Sequence, residues 1–165
     1  MEDFQAYLKK YFSLIKSDHW QDELESALKE TNLLLLDLTE AQGEASYQAG
    51  KWSIKDLIQH LIDAERIFVY RALRFAREDT TPLPGWDEVP YANSAKADKR
   101  SLQDLLQEFR FVRSSTILFF GGLSPFALNQ KALANGNLIS VEDIGKLLLG
   151  HHYHHNQILK ERYLV

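Results

Sequence analysis

The sequence predicts an all-α fold: an antiparallel four-helix bundle with a long crossover loop between its second and third helices. Three observations carry this. Four segments repeat apolar residues with a helical period, and three of them open on one shared capping signature. No stretch alternates apolar and polar residues for long enough to build a sheet.

The first helix is expected from about Asp18 to Ala41, where Leu24, Leu28, Leu35 and Leu38 recur at helical spacing and Gly43 lies just past the end. The second runs from Ser53 to about Glu78. The third begins at Ser101 and stops at Gly121-Gly122, and the fourth begins at Ser140 and continues almost to the C-terminus. Ser53, Ser101 and Ser140 are each followed three residues later by an acid: Asp56, Asp104 and Asp143. The serine oxygen can accept an orphan backbone N–H, and the acid can answer while favouring the positive end of the helix dipole. Trp52 with Leu57 and Ile139 with Ile144 supply the apolar staples of two of these starts. Between the second and third helices, residues 79–94 have no period and hold three of the four prolines. A loop this long suits a crossover between parallel neighbours and is often functional. Trp86 and Tyr91 are expected to anchor it over one end of the core. Pro125 to Gln130 suggests a short helical turn, and Asn135-Gly136-Asn137 is a turn signal. With no repeat or boundary, residues 1–165 are expected to form one domain.

Composition narrows the function. A formal charge of −4 and no basic run argue against nucleic acid or an anionic membrane as the main partner. No apolar run approaches the roughly 20 residues of a membrane helix. The acidic N-terminus lacks a secretory pattern, so a cytoplasmic protein is expected. Without cysteine there is no disulfide, thiolate metal site or cysteine nucleophile.

Five of the six histidines sit in two places, His60 in the second helix and His151, His152, His154 and His155 in the fourth. At about 100° per residue, His151 and His155 point within about 20° of the core-facing stripe marked by Ile144, Leu147 and Leu148. His152 and His154 fall about 80° to either side. An imidazole pair four residues apart on one face can converge on a metal ion. A third ligand has to come from elsewhere, and His60 is the remaining histidine within a core helix, on the flank of its stripe. The bland alternative makes each ring a satisfied core residue. Asp63 and Glu65 could orient a ligand or accept a proton, but are more simply a surface acid and an ion-pair partner for Arg66 or Arg71.

The segment Gly50-Lys-Trp-Ser-Ile-Lys-Asp-Leu-Ile-Gln-His60-Leu-Ile-Asp-Ala-Glu-Arg66 resembles the second helix of the DinB-like superfamily. Arg71-Ala-Leu-Arg-Phe-Ala-Arg77, leading into Thr-Pro-Leu-Pro-Gly-Trp-Asp-Glu88, resembles the end of that helix and the start of its loop. The ending Gly150-His-His-Tyr-His-His155-Asn-Gln-Ile-Leu-Lys-Glu-Arg-Tyr163 resembles the family's fourth helix. The likeness covers most of the chain. It implies a three-histidine metal site, mapping onto His60 and the pair His151 and His155. The additional His152 and His154 leave a slipped pairing such as His151 with His154 open.

Members of this family include thiol S-transferases using low-molecular-weight thiols, thiol-dependent isomerases and proteins labelled metal-dependent hydrolases. The resemblance therefore implies a divalent-metal enzyme, with zinc or nickel, acting on a small soluble substrate, with a low-molecular-weight thiol as a candidate partner. Trp86, Asp87, Tyr91 and Asn93 from the long loop are expected to wall the pocket, with Tyr47 a weaker candidate. A non-catalytic metal-binding module or a dimeric scaffold is the alternative, and a homodimer fits a bundle with broad apolar faces.

Overall fold

A computed structural model describes residues 3–164. The chain runs α1 (Phe4–Phe12), α2 (Trp20–Leu35), α3 (Glu40–Gly43), α4 (Ile54–Ala76), α5 (Glu88–Ala95) and a 3₁₀ turn, Ala97–Lys99. It continues through α6 (Leu102–Gly121), α7 (Pro125–Leu128), β1 (Lys131–Ala134), β2 (Asn137–Ser140) and α8 (Val141–Ile158), whose last turn widens to a π-helix over Leu159–Tyr163. No helix among the described residues is long and apolar enough to cross a membrane.

All three serines cap their helices, while the reciprocal bond from the acid to the N-cap N–H forms only at Ser53 among these three. Ser53 Oγ accepts from the Asp56 backbone N–H, and Asp56 accepts from the Ser53 N–H at 3.0 Å. Ser101 and Ser140 each accept from the N–H of Asp104 and Asp143 at 3.0 Å. The first predicted helix is divided instead. α2 stops at Leu35, and α3 restarts behind a box in which Thr39 accepts from Gln42 N–H and the Gln42 side chain accepts from Thr39 N–H. Buried Lys55 then holds α3 through Glu40 and Glu44.

Several elements lie outside the sequence expectation, among them α5, a short helix capped by Asp87 within the stretch read as a loop. α1 is capped by Asp3 and buries Leu8 and Tyr11. The absence of a sheet is also corrected: β1 and β2 pair antiparallel from Lys131↔Ser140 to Ala134↔Asn137. Asn135 and Gly136, with φ of 50° and 75°, make the tight turn that such short strands require. The strands hold four residues each, too few for period-two patterning to register. Leu83 of the long loop adds to this hairpin, donating to Leu133 O and accepting from Asn135 N–H at 2.9 Å each.

α2, α4, α6 and α8 form the bundle. Partner residues rise together between α4 and α6, from Gln59 with Arg100 to Glu65 with Arg113, so these helices are parallel neighbours. α2 and α8 are parallel too, Trp20 lying at Gly145 and Glu30 at Lys160. α4 and α8 oppose, His60 meeting His155 and Phe68 meeting His151. The bundle is two parallel pairs set antiparallel, and the connection over residues 77–101 is the crossover this requires.

The core is two apolar clusters. One gathers the start of α2, the second half of α4 and the first half of α8 around Leu24, Phe68 and Ile144. The other gathers the end of α2 and the first halves of α4 and α6 around Leu35, Ile58 and Phe109. Between them lies a buried polar belt: Thr31, His60, Glu65, Arg113, His152, His155 and Asn156.

Candidate metal centre and cavity

His60 leaves the second turn of α4, and His151 and His155 leave one face of α8, a turn apart. Their Nε2 atoms converge: His60 lies 3.0 Å from His151, and His155 lies 3.1 Å from His151. His60 and His155 are buried and His151 partly so. The His60 ring packs on Trp52, with centroids 4.8 Å apart, and on Trp86 of the long loop, stacked at 5.8 Å.

The rings are kept neutral. Burial lowers the His60 pKa to about 4. Burial, reinforced by His60 and His154, lowers His155 to about 3, and burial holds His151 well below the ordinary value. Each then has one lone pair and one N–H. His151 Nε2 is either a donor or an acceptor, with a single in-plane site, yet it faces two other Nε2 atoms. Protons alone can satisfy one of these contacts and not both. A cation satisfies all three. Tetrahedral zinc with nitrogens at about 2.0–2.1 Å has N···N edges of about 3.3–3.4 Å, within a few tenths of an ångström of the two separations from His151, and all three ligand atoms lie within 4.8 Å of one another. The donor set therefore fits a divalent ion.

His152, next in sequence to His151, belongs to a different structure. Arg113 Nη2, which can only donate, lies 3.0 Å from His152 Nδ1. The ring proton is thereby placed on Nε2, which donates to Thr31 Oγ1 at 2.7 Å. Thr31 donates on to Asn156 Oδ1 at 2.7 Å, and Asn156 donates to Ala27 O. Glu65 takes both Nε and Nη2 of Arg113, at 2.8 and 2.7 Å. This corrects the expected pairing of Glu65 with Arg66 or Arg71, since the carboxylate points across to α6. Arg66 instead holds Glu108, and Asp63 accepts from Gln59 at 3.0 Å. His154 stands edge-on to Tyr11, with ring centroids 5.7 Å apart.

A cavity of about 410 Å³ opens beside His60 and His151. Phe68, Ile144 and Leu147 make its apolar wall, while Arg71, Trp86 and Asn135 stand among its other lining residues. Of the loop residues expected at a pocket, Trp86 lines this cavity. Tyr91, expected to help anchor the loop, is exposed; it packs on Trp86 at 5.1 Å and lines a separate, more open recess with Gln59 and Asp63. Asp87 caps α5 by accepting from Val89 N–H, Asn93 is exposed, and Tyr47 packs on Tyr163 at another groove.

The cavity also takes Phe4 and Tyr7 from α1, and Asn135 and Asn137 from the hairpin. The available signals were Asp3 ahead of the Tyr7, Leu8, Tyr11 spacing, and the Asn-Gly turn. Gly150 lets α1 approach, because a Cβ there would lie 2.3 Å from Tyr11 O.

A model of the DinB superfamily matches residues 23–159. No curated protein matches the chain. Among solved structures it is similar to YfiT from Bacillus subtilis, described as a probable metal-dependent hydrolase with an unusual four-helix bundle topology. The TM-score is 0.78 at 17% identity, covering 88% of this chain and 87% of that one. At that identity the likeness speaks for the fold.

Proposed function

From the premise that this chain belongs to the DinB superfamily, we propose that it is a metal-dependent enzyme acting on a small molecule, with His60, His151 and His155 holding a divalent ion, zinc or nickel. The observation that carries the reading is the meeting of three neutral ring nitrogens at His151, which protons cannot satisfy. When bound, such an ion supplies Lewis acidity that acidifies a water or a thiol.

The chain's own residues do the rest. Burial keeps the three lone pairs available at neutral pH. Trp52 and Trp86 fix the plane of His60. Trp86 of the long loop stacks on His60 and lines the cavity that would admit a substrate to the His151 side. Hydrolysis is one reaction such a site serves, in keeping with the description of YfiT. Transfer of a low-molecular-weight thiol is the other, differing in the nucleophile that enters.

Elemental analysis of untagged protein, repeated on His155→Ala, tests the ion. About one metal per chain, lost in the variant, is the expected result, and unchanged content in the variant overturns the ligand assignment. Activity is tested with esters, amides and thiol–electrophile pairs. A rate that vanishes on His151→Ala is expected; metal without any such rate leaves a binding module. We also place the protein in solution as a homodimer, exposed Leu33, Leu36, Phe111 and Leu118 offering apolar surface. A monomer mass by light scattering would refute that.

A further inference from the structure

Arg71 lies in α4 beyond the histidine cluster, and the metal chemistry does not use it. Eleven residues separate it from His60, three helical turns, so the two leave one face of the helix about 16 Å apart. Both line the same cavity. Its burial is the unusual feature. Arg66, Arg74, Arg100 and Arg113 each hold a carboxylate. Arg77, Arg110 and Arg162 are exposed, where water serves. Arg71 is 9% exposed and, among the described residues, forms no ion pair. Burial lowers its pKa, yet a guanidinium remains charged. Nη2 donates to Pro84 O at 2.7 Å, which pins the long loop to α4. That bond is to a neutral carbonyl; Tyr7, which also lines the cavity, favours the charged form, but among the described residues no carboxylate compensates it. Glu88, at the same cavity, is exposed and outside ion-pair reach.

We propose that the cavity takes a small amphipathic carboxylic acid, its carboxylate held by Arg71 and its apolar body lying along Phe68, Ile144 and Leu147 toward His60 and His151. This deepens the enzyme reading by naming the substrate class, and rests on the cavity being that enzyme's substrate site. A buried charge needs an opposite partner, and a charge-assisted bond to a guanidinium fork suits a carboxylate. A single guanidinium, with one nitrogen already on a carbonyl, favours a monoanion over a phosphate dianion. The volume of about 410 Å³ lies within the range of small-ligand sites. Asn135 and Asn137 stand at the cavity as further polar contacts.

The test is calorimetric titration with 3-cyclohexylpropanoate and its neutral amide, 3-cyclohexylpropanamide. It uses wild-type protein, metal-loaded and chelated, together with Arg71→Gln, Arg71→Lys and His151→Ala. The acid is expected to bind wild-type at least about tenfold tighter than the amide, with or without metal. Arg71→Gln removes that preference, Arg71→Lys keeps part of it, and His151→Ala retains it. Circular dichroism and thermal unfolding establish that each variant is folded; if Arg71→Gln is not, the partial preference of Arg71→Lys carries the comparison. Equal binding of acid and amide overturns the proposal, as does a preference that survives Arg71→Gln, or no binding at millimolar concentration. A preference that disappears on chelation or in His151→Ala overturns it too, by putting the carboxylate on the metal. Absence of metal from the wild-type protein sinks the enzyme reading while leaving the acid preference to stand or fall separately.

Discussion

His152 and His151 are adjacent on α8, and their surroundings follow opposite rules. His152 sits in a closed circuit, Arg113 to His152 to Thr31 to Asn156, in which each donor finds an acceptor and Glu65 neutralises the guanidinium. His151 sits in an open one. It meets two imidazoles that compete for its single Nε2 site, and His155 Nδ1, buried nearby, has no hydrogen-bond partner among the described residues. One belt of the core thus holds a satisfied polar network that ties α2, α4, α6 and α8 together beside a cluster left unsatisfied by protein alone. Closure makes a structural element; incompleteness marks a place for a ligand.

The largest effect is expected at the closed network. Arg113→Met strands the Glu65 carboxylate at 2% exposure, and breaking one side of a buried pair costs about 3–5 kcal/mol. Urea unfolding of the chelated protein reads this. Arg113→Met with Glu65→Leu should cost much less, because no charge is then left alone. Equal losses in the single and double variants would mean that Arg113 acts by packing rather than by charge.

The open cluster answers to pH. His60 falls from 6.5 to about 4 on folding, and His155 to about 3. The unfolded chain therefore binds more protons across that interval, and stability falls as pH drops below 6.5 toward 4 and 3. For chelated protein the loss between pH 7 and pH 4 should be on the order of a few kcal/mol. Above pH 7 the contribution is complete and flat. Metal should move the acid limb to lower pH, since it competes with protons for the same nitrogens. An acid limb unaffected by metal would separate the cluster from the ion.

His152→Ala and His155→Ala set the two regions directly against each other. The first leaves Thr31 and Arg113 each short of a partner, at about 1–3 kcal/mol, and should leave metal content unchanged. The second should abolish metal binding. If His152→Ala also loses the metal, the belt is one coupled unit and the distinction drawn between its halves fails.

These differences explain what was legible in the sequence. Helix starts were, because capping is local: Ser53, Ser101 and Ser140 need only the backbone N–H three residues on, and the acid there marks the position. The pair His151 and His155 was also legible, because four residues on a helix return to one face. His152 was visible only as a ring at the edge of that stripe, since its partners lie on α2 and α6, 121 and 39 residues away. Arg71 was hidden in the opposite sense. Nothing local says that Glu65 faces Arg113, and so that a nearby arginine is left without its expected carboxylate. The division of the first predicted helix was legible in principle, in Thr39 and Gln42, but the leucine period ran across it.

His154 yields the smallest effect and the finest distinction. Its sequence spacing from His151 allowed a slipped ligand pair, whereas the ring stands edge-on to Tyr11 and is only half-buried. Burial, with help from Lys10, lowers its pKa, yet the hydrogen-bonded contacts of the cluster run through His60, His151 and His155. His154→Ala removes one aromatic contact with α1, worth about 0.5–1.5 kcal/mol. Metal per chain should match the wild type. Loss of half or more of the metal would put His154 in the ligand set and would turn the open cluster toward Tyr11 and α1, on the side of α8 opposite His152.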